Sequence, residues 1–490
     1  MGRHKRLVGR LKAASSGGRT LLTESDFTYL GSFKLPTIST QTTATSNNWH
    51  MGHANAFMTG RYVSGTLHIL IGGRVVTHNM IMDVTLPGTL DGSRATLSRI
   101  WNGTAYSIEN YMPTNVDYSV LSGIKWDTTL NKLMCNYHIG YNQSPGAGNP
   151  SIFYATLTDA DGSMSFQGPW RHSANSKRTG GWLTDVPSWF QSQYGVGRVA
   201  TGNLNLGQAH VYGTTLCAFN PCDPTSTADT ADNGGGGTDT HVTITDDELC
   251  YHNSANPLSK AAIVGGNCYY CPGGRKGDQD SPTTPITLND YFGGQAAMVE
   301  HPAAPPAEDN PYNLSPQAAN CDWLTQHVWI DTGTKHGVLA FGNIAAAVGG
   351  RDAHFWYGNG WTGGPDQDVS HTCDHGEAYT LGGGTGPTAT AGVNMYCIYN
   401  PSHFGEVKLG TRNQYSGVAP AEIGRMGASV FGGFMDEEWS TLAFGPIGPA
   451  WRPVGQCWFD TTTNRLYVAK NLADNDGYNP QPVVHVFEVA

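Results

Sequence analysis

The chain has 490 residues, 39% of them hydrophobic, and a formal net charge of −11. That supplies apolar surface for a sizeable core, while no apolar run approaches the roughly 18 residues of a membrane-spanning helix, so a helical span is excluded. Only 14% of the residues are charged, and 63 Gly with 27 Pro make a turn-dense sequence in which helical periodicity is scarce.

Residues 1–25 read as a basic arm. Arg3, Lys5, Arg6, Arg10, Lys12 and Arg19 all precede the first acid, Glu24. The remainder holds 22 Lys and Arg against 39 Asp and Glu, a charge that repels a nucleic-acid backbone. The arm, with Leu7, Val8 and Leu11 among its cations, suits an acidic groove on a neighbouring subunit. Its longest apolar stretch is Leu7-Val8, far short of the about 7 to 15 apolar residues of a secretory signal. Synthesis in the cytoplasm without a signal peptide is the expectation.

Residues 26–490 read as all-β, with strand signals in chain order. "FTYLGSFKLP" (27–36) is a lone strand after the arm, and "ANAFMTGRYVSGTLHILIGG" (54–73) is a strand, a tight turn and a strand. "GIKWDTTLNKLMCNYH" (123–138) repeats that plan and is followed by "SIFYATL" (151–157). "DVPSWFQSQYG" (185–195) and, much later, "EEWSTLAFG" (437–445) have room for a helical turn or two. "GQAHVYGTTLCAFNP" (207–221) and "HVWIDTGTKHGVLAFGN" (327–343) are weaker copies of the hairpin. "GQCWFDTTTNRLYVAK" (455–470) matches residues 123–138 almost position for position, and "PVVHVFEVA" (482–490) ends the chain as a strand.

A recurring strand–turn–strand unit predicts radial repetition, a β-propeller with an extended N-terminal arm and long loops. At roughly 60 to 70 residues per unit the body holds about six or seven blades. Closure is expected from residues 27–36 and 482–490 sharing one blade, which removes free sheet edges. Residues 223–320, opening on a Gly/Asp/Thr run, read as a loop-rich insertion. The pattern F-T-Y-L-G-x-F-x-L-P with G-x-x-W-D-x-x-x-N-x-L hairpins resembles uncharacterised propeller proteins encoded by bacteriophages and environmental bacteria. The resemblance implies a propeller and is compatible with a virion protein; it brings no catalytic signature.

Four groups of residues carry candidate chemistry. Cys250, His252, Cys268 and Cys271 form C-x-H-x15-C-x2-C, a set that can close a structural Zn²⁺ site, with disulfides or unpaired thiols as the alternatives. Cys135 and Cys457 read as buried small hydrophobes, whereas Cys217, Cys222, Cys321, Cys373 and Cys397 lie near loops and could pair. "DADG" (159–162) and "DNDG" (474–477) offer carboxylates for Ca²⁺ but lack the rest of an EF-hand loop, so plain turns are expected. His138, Tyr141, His210, Arg351 and His354 would serve as bases and cations if the chain were a polysaccharide lyase. The Gly-rich stretch holding Phe355, Trp356, Tyr357 and Trp361 is the candidate recognition loop, since aromatic faces stack on sugars or fill protein interfaces.

Together these features predict a structural or host-contacting component of a bacteriophage virion: a tail, tail-tip or surface protein, assembled inside a bacterium, docked on other virion subunits by its arm, and offering its loops to a host glycan. The alternative is a glycan-degrading enzyme on a propeller scaffold, acting outside the cell. No organic cofactor is expected.

Overall fold

The computed structural model describes residues 18–36, 57–75, 78–101, 119–139, 150–174, 179–202, 214–225, 243–251, 323–345, 370–372, 378–380, 392–414, 417–425, 429–431, 454–474 and 481–490. Within them the protein is a five-bladed β-propeller, each blade an antiparallel meander of four strands. After β1 (Phe27–Lys34), blade 1 comprises β2 (Phe57–Val63), β3 (Thr66–Val75), β4 (His78–Thr85) and β5 (Thr96–Ile100). Blade 2 comprises β6 (Ser119–Asp127), β7 (Lys132–Ile139), β8 (Pro150–Thr158) and β9 (Ser163–His172). Blade 3 follows with β10 (Leu183–Asp185), β11 (Val199–Thr201), β12 (Thr215–Phe219) and β13 (Asp246–Tyr251). Blade 4 holds β14 (Trp323–Asp331), β15 (Lys335–Ala345), β16 (Gly392–Tyr399) and β17 (Glu422–Arg425). Blade 5 is β18 (Val454–Asp460), β19 (Arg465–Asp474), β20 (Gln481–Val489) and, returning to the start of the chain, β1.

The expected closure is present. β1 pairs antiparallel with β20 from Phe27↔Val489 to Lys34↔Val483, so the first strand completes the last blade. The expected six or seven blades are corrected to five: the inner strands touch in the order β2, β6, β10, β14, β18 and back to β2. The larger number follows from roughly 60 to 70 residues per blade, loops included. The described blades are separated or interrupted by long stretches such as 252–322 and 346–391, so a blade takes up, on average, more chain than that.

Alternation along each strand fills the gaps between blades. On β3, Ile69 and Ile71 face blade 5 while Leu70 faces blade 2; on β7, Leu133, Cys135 and Tyr137 face blade 1 while Met134 faces blade 3. Both faces of these strands are buried, which explains why the sequence reads as near-continuous apolar runs. Five hydrophobic clusters result, one per interface between neighbouring blades. Each fully buried Leu or Ile contributes about 1.5–3 kcal/mol through the water it sheds.

The repeated hairpin has a local cause. In "WDTTLN" the Asp127 Oδ1 accepts the N–H groups of Thr129 (2.9 Å) and Leu130 (3.0 Å), and Asn131 takes a positive φ of 52°. In "FDTTTN" the Asp460 carboxylate accepts from Thr462 N–H (3.0 Å) and the Thr463 hydroxyl (2.6 Å), and Asn464 has φ 53°. Asp folds the turn and Asn tolerates the left-handed residue that ends it.

At the centre, Gln456 of β18 reaches to β6 and β10. Its Oε1 accepts Ile124 N–H (2.9 Å), and its Nε2 donates to the carbonyls of Ile124 (2.6 Å) and Leu183 (3.1 Å). Thr59 on β2 accepts Trp126 N–H at 3.0 Å, and Thr184 on β10 accepts Trp329 N–H at 3.3 Å. Side chains of inner strands thus satisfy backbone groups of the next blades. The approach is close enough that a Cβ on Gly60 would stand 2.2 Å from the Trp458 ring.

Two sequence readings change. Residues 207–221 are not an inner hairpin, since 215–219 form the third strand of blade 3. Asp246–Tyr251, inside the expected insertion, is that blade's outer strand, with Leu249 and Cys250 in the core.

Candidate functional site

Antiparallel meanders place successive connections at opposite ends of the sheets. Links between first and second strands, and between third and fourth, lie at one end, the turn face. Links between second and third strands, and from one blade to the next, lie at the other, the loop face. The turn face is closed by tight turns at 64–65, 128–131, 332–334 and 461–464 and by two short helices, α1 (Ser188–Tyr194) and α2 (Pro401–Lys408). Helix α1 was anticipated. Helix α2 was not, although Asn400 caps it by accepting Ser402 N–H at 3.0 Å ahead of Pro401, a readable start signal. The helices meet where Gly405 lies against the Tyr194 ring.

The turn face also seats the N-terminal segment. Thr20–Leu21 runs parallel to Lys335–His336 at the start of β15, and Leu22 is fully buried between blades 4 and 5. Arg19 Nε donates to Asp331 Oδ1 at 2.9 Å, and its guanidinium lies 5.5 Å from the Trp189 ring centroid, whose ring stacks on His336. Lys335 Nζ meets Asp26 Oδ1 at 2.9 Å. Burial by itself would raise the Asp26 carboxyl; the bonds from Lys335 and Thr23 outweigh it and hold it below the usual value. Glu24 Oε1 accepts Val430 N–H at 2.6 Å, and the Tyr396 hydroxyl lies within 3.2 Å of Glu24 Oε2 and 2.9 Å of Glu422 Oε1. Burial first, then these carboxylates, push the Tyr396 phenol up. Ala490 N–H donates to Asp26 O at 3.0 Å, so both described ends of the chain meet here. Sequence reading placed only the arm's charges; the signal it passed over was "TESD" (23–26), a capping box that pins the segment's entry into β1.

The expected site residues fall elsewhere. His138 lies on β7 opposite Val120, near the loop face. Tyr141, His210, Arg351, His354, Phe355, Trp356, Tyr357 and Trp361 lie outside the described residues, as do the arm residues Arg3, Lys5, Arg6, Arg10 and Lys12. The segments holding Tyr141, His210 and residues 351–361 link second to third strands in blades 2, 3 and 4, so the strand ends that flank them open on the loop face. Of the four metal candidates only Cys250 is described. It is 1% exposed, its thiol donates to Thr214 O at 3.6 Å, and burial pushes its pKa up. His252, Cys268 and Cys271 lie outside the described residues. Cys135 and Cys457 are buried as expected; Cys217 and Cys397, expected in or near loops, are buried strand residues. "DADG" is a tight turn between β8 and β9 in which Asp161 Oδ1 accepts Ser163 N–H at 2.9 Å.

No protein-family model matches the chain, and no curated protein matches it. Among solved structures it is similar to a member of the DUF4221 family from Bacteroides vulgatus, at 7% identity and a TM-score of 0.23, over 89% of this chain and 96% of the other. Of the expected resemblance to phage-encoded propellers, the described sheets bear out the propeller.

Proposed function

We propose that the chain is a structural, host-contacting component of a bacteriophage virion, a tail, tail-tip or surface protein anchored by its basic arm. The observation that carries this reading is the opposition of the two faces. The seat of residues 19–26, from which the arm continues, is on the turn face, whereas the strand ends flanking the aromatic segment 351–361 open on the loop face. A rigid propeller between them holds an anchor toward the particle and recognition residues toward the host. The arm's cations meet an acidic neighbouring subunit, and the aromatic segment meets a glycan of the host surface.

Deleting residues 2–17 tests the anchor, because the segment that holds blades 4 and 5 starts at Arg19. The truncated chain is expected to melt like the full chain and to be missing from particles assembled with the remaining virion proteins. Normal incorporation of the truncated chain would refute the anchor.

A further inference from the structure

The face of blade 1 turned toward blade 2 carries one charged or titratable side chain per strand, near the turn face: Arg61 on β2, His68 on β3, Asp83 on β4 and Arg99 on β5. Arg61 lies opposite His68, and Asp83 opposite Arg99, in the sheet register. Asp83 is fully buried; its Oδ1 is 2.6 Å from His68 Nδ1, and its Oδ2 accepts Arg61 Nη2–H at 2.8 Å. Arg61 also reaches Asp159 of blade 2 at 2.7 and 3.3 Å, and its guanidinium lies 5.1 and 5.4 Å from the ring centroids of Trp101 and Trp126. Arg99 donates to Asp159 O at 2.5 Å.

With Nδ1–H donated to a carboxylate, the lone pair of an imidazole lies on Nε2. His68 is 16% exposed, and its Nε2 has no hydrogen-bond partner among the described residues. The same geometry recurs with a different outcome at His172, whose Nδ1 is 2.6 Å from Asp246 Oδ1 with both side chains fully buried and Nε2 sealed in the core. That second pair can only be structural. Beside His68 stand the half-exposed carboxylate of Asp159 and the partly exposed guanidinium of Arg99. The Arg61 hydrogen bond, first of all, holds Asp159 below the usual carboxylate range, and Arg61 bridges Asp159 to the same Asp83 carboxylate that His68 contacts.

We propose that His68 Nε2, Asp159 and Arg99 form a binding site for a neutral polyhydroxylated ligand, a glycan. Two acceptors and a donor fork side by side match neighbouring hydroxyls, each of which both donates and accepts. The formal charges of Arg61 and Arg99 cancel those of Asp83 and Asp159. An anionic ligand would meet Asp159 and a cationic one the guanidinium of Arg99, so a neutral ligand fits best. The site lies between blades 1 and 2, apart from the part of the turn face on blades 3 to 5 that holds α1, α2 and the Arg19 seat, so it is independent of the arm and of the loop face.

Carbethoxylation of the full chain by diethyl pyrocarbonate, mapped by peptide mass spectrometry, tests the site. Nε2 attacks a carbonyl carbon of the reagent, forming an N–C bond and expelling ethyl carbonate, so an open lone pair reacts and a sealed one does not. His68 is expected to react faster than His172. Glucose, galactose, N-acetylglucosamine and cellobiose are the probes, with galacturonate as the charged control. A bound sugar should slow His68 about tenfold at a concentration near ten times its Kd, because only the free fraction reacts. Arg99→Gln should abolish that protection, each protein's own sugar-free rate serving as its reference. If no neutral sugar protects His68, if galacturonate protects as well as they do, or if Arg99→Gln keeps the protection, the proposal falls.

Discussion

His327 shows how burial sets the behaviour of one residue. It sits on β14, 1% exposed, stacked on Trp182 with ring centroids 4.8 Å apart, and its Nε2 lies 3.3 Å from Thr214 Oγ1. Burial pushes its pKa down to about 3 from 6.5, and burial does the same to His485, also to about 3. Both must be neutral in the folded protein. The unfolded chain takes up a proton near pH 6.5 and the folded chain only near pH 3, so their contribution is complete above pH 6.5 and drains away as the pH falls through that window. From pH 6.5 to pH 5 each costs about 2 kcal/mol. Urea unfolding at several pH values is expected to show stability falling over this range, with a shallower slope in His327→Phe; an unchanged slope would contradict the buried neutral ring.

At the scale of elements, the inner hairpins were the most legible part. "WDTTLN" and "FDTTTN" repeat because one local solution, an Asp-nucleated turn closed by an Asn with positive φ, is used twice. Asn464→Ala is expected to cost about 1–2 kcal/mol, since a Cβ without a short polar side chain is disfavoured there, and Asn464→Gly should cost much less. Equal melting temperatures for the two variants would contradict this account of the turn. Other elements were opaque for physical reasons. Asp246–Tyr251 opens with three acids, the first of them buried against His172, so its apolar pair, Leu249 and Cys250, was too short to stand out from the flanking Gly/Asp/Thr run. The seat of Arg19 depends on Asp331 and Trp189, hundreds and scores of residues away, which no local pattern announces. The row Arg61, His68, Asp83, Arg99 was hidden in the same way, because strand register assembles it.

For the whole molecule, strand pattern gave the propeller and its closure, while the blade count depended on how much chain the connections consume. What makes five the closed number is the inner ring, and Gln456 is its tie across three blades. Gln456→Leu keeps the volume, removes three hydrogen bonds and leaves buried groups of Ile124 and Leu183 unpaired, at a cost of about 1–3 kcal/mol for each. A loss of several kcal/mol in chemical denaturation is expected, with the unfolding still cooperative. A neutral substitution would mean that the ring does not depend on this tie.

In the proposed function the arm's side of that ring meets the particle and the loop side meets the host. Cryo-electron microscopy of the native virion tests this most directly. The account predicts five-bladed density with the turn face, marked by α1, α2 and the Arg19 seat, against a neighbouring virion subunit, and with the strand ends at 345 and 392 pointing outward. Particles that lack the protein, or that hold it by the loop face with the turn face exposed, would contradict it.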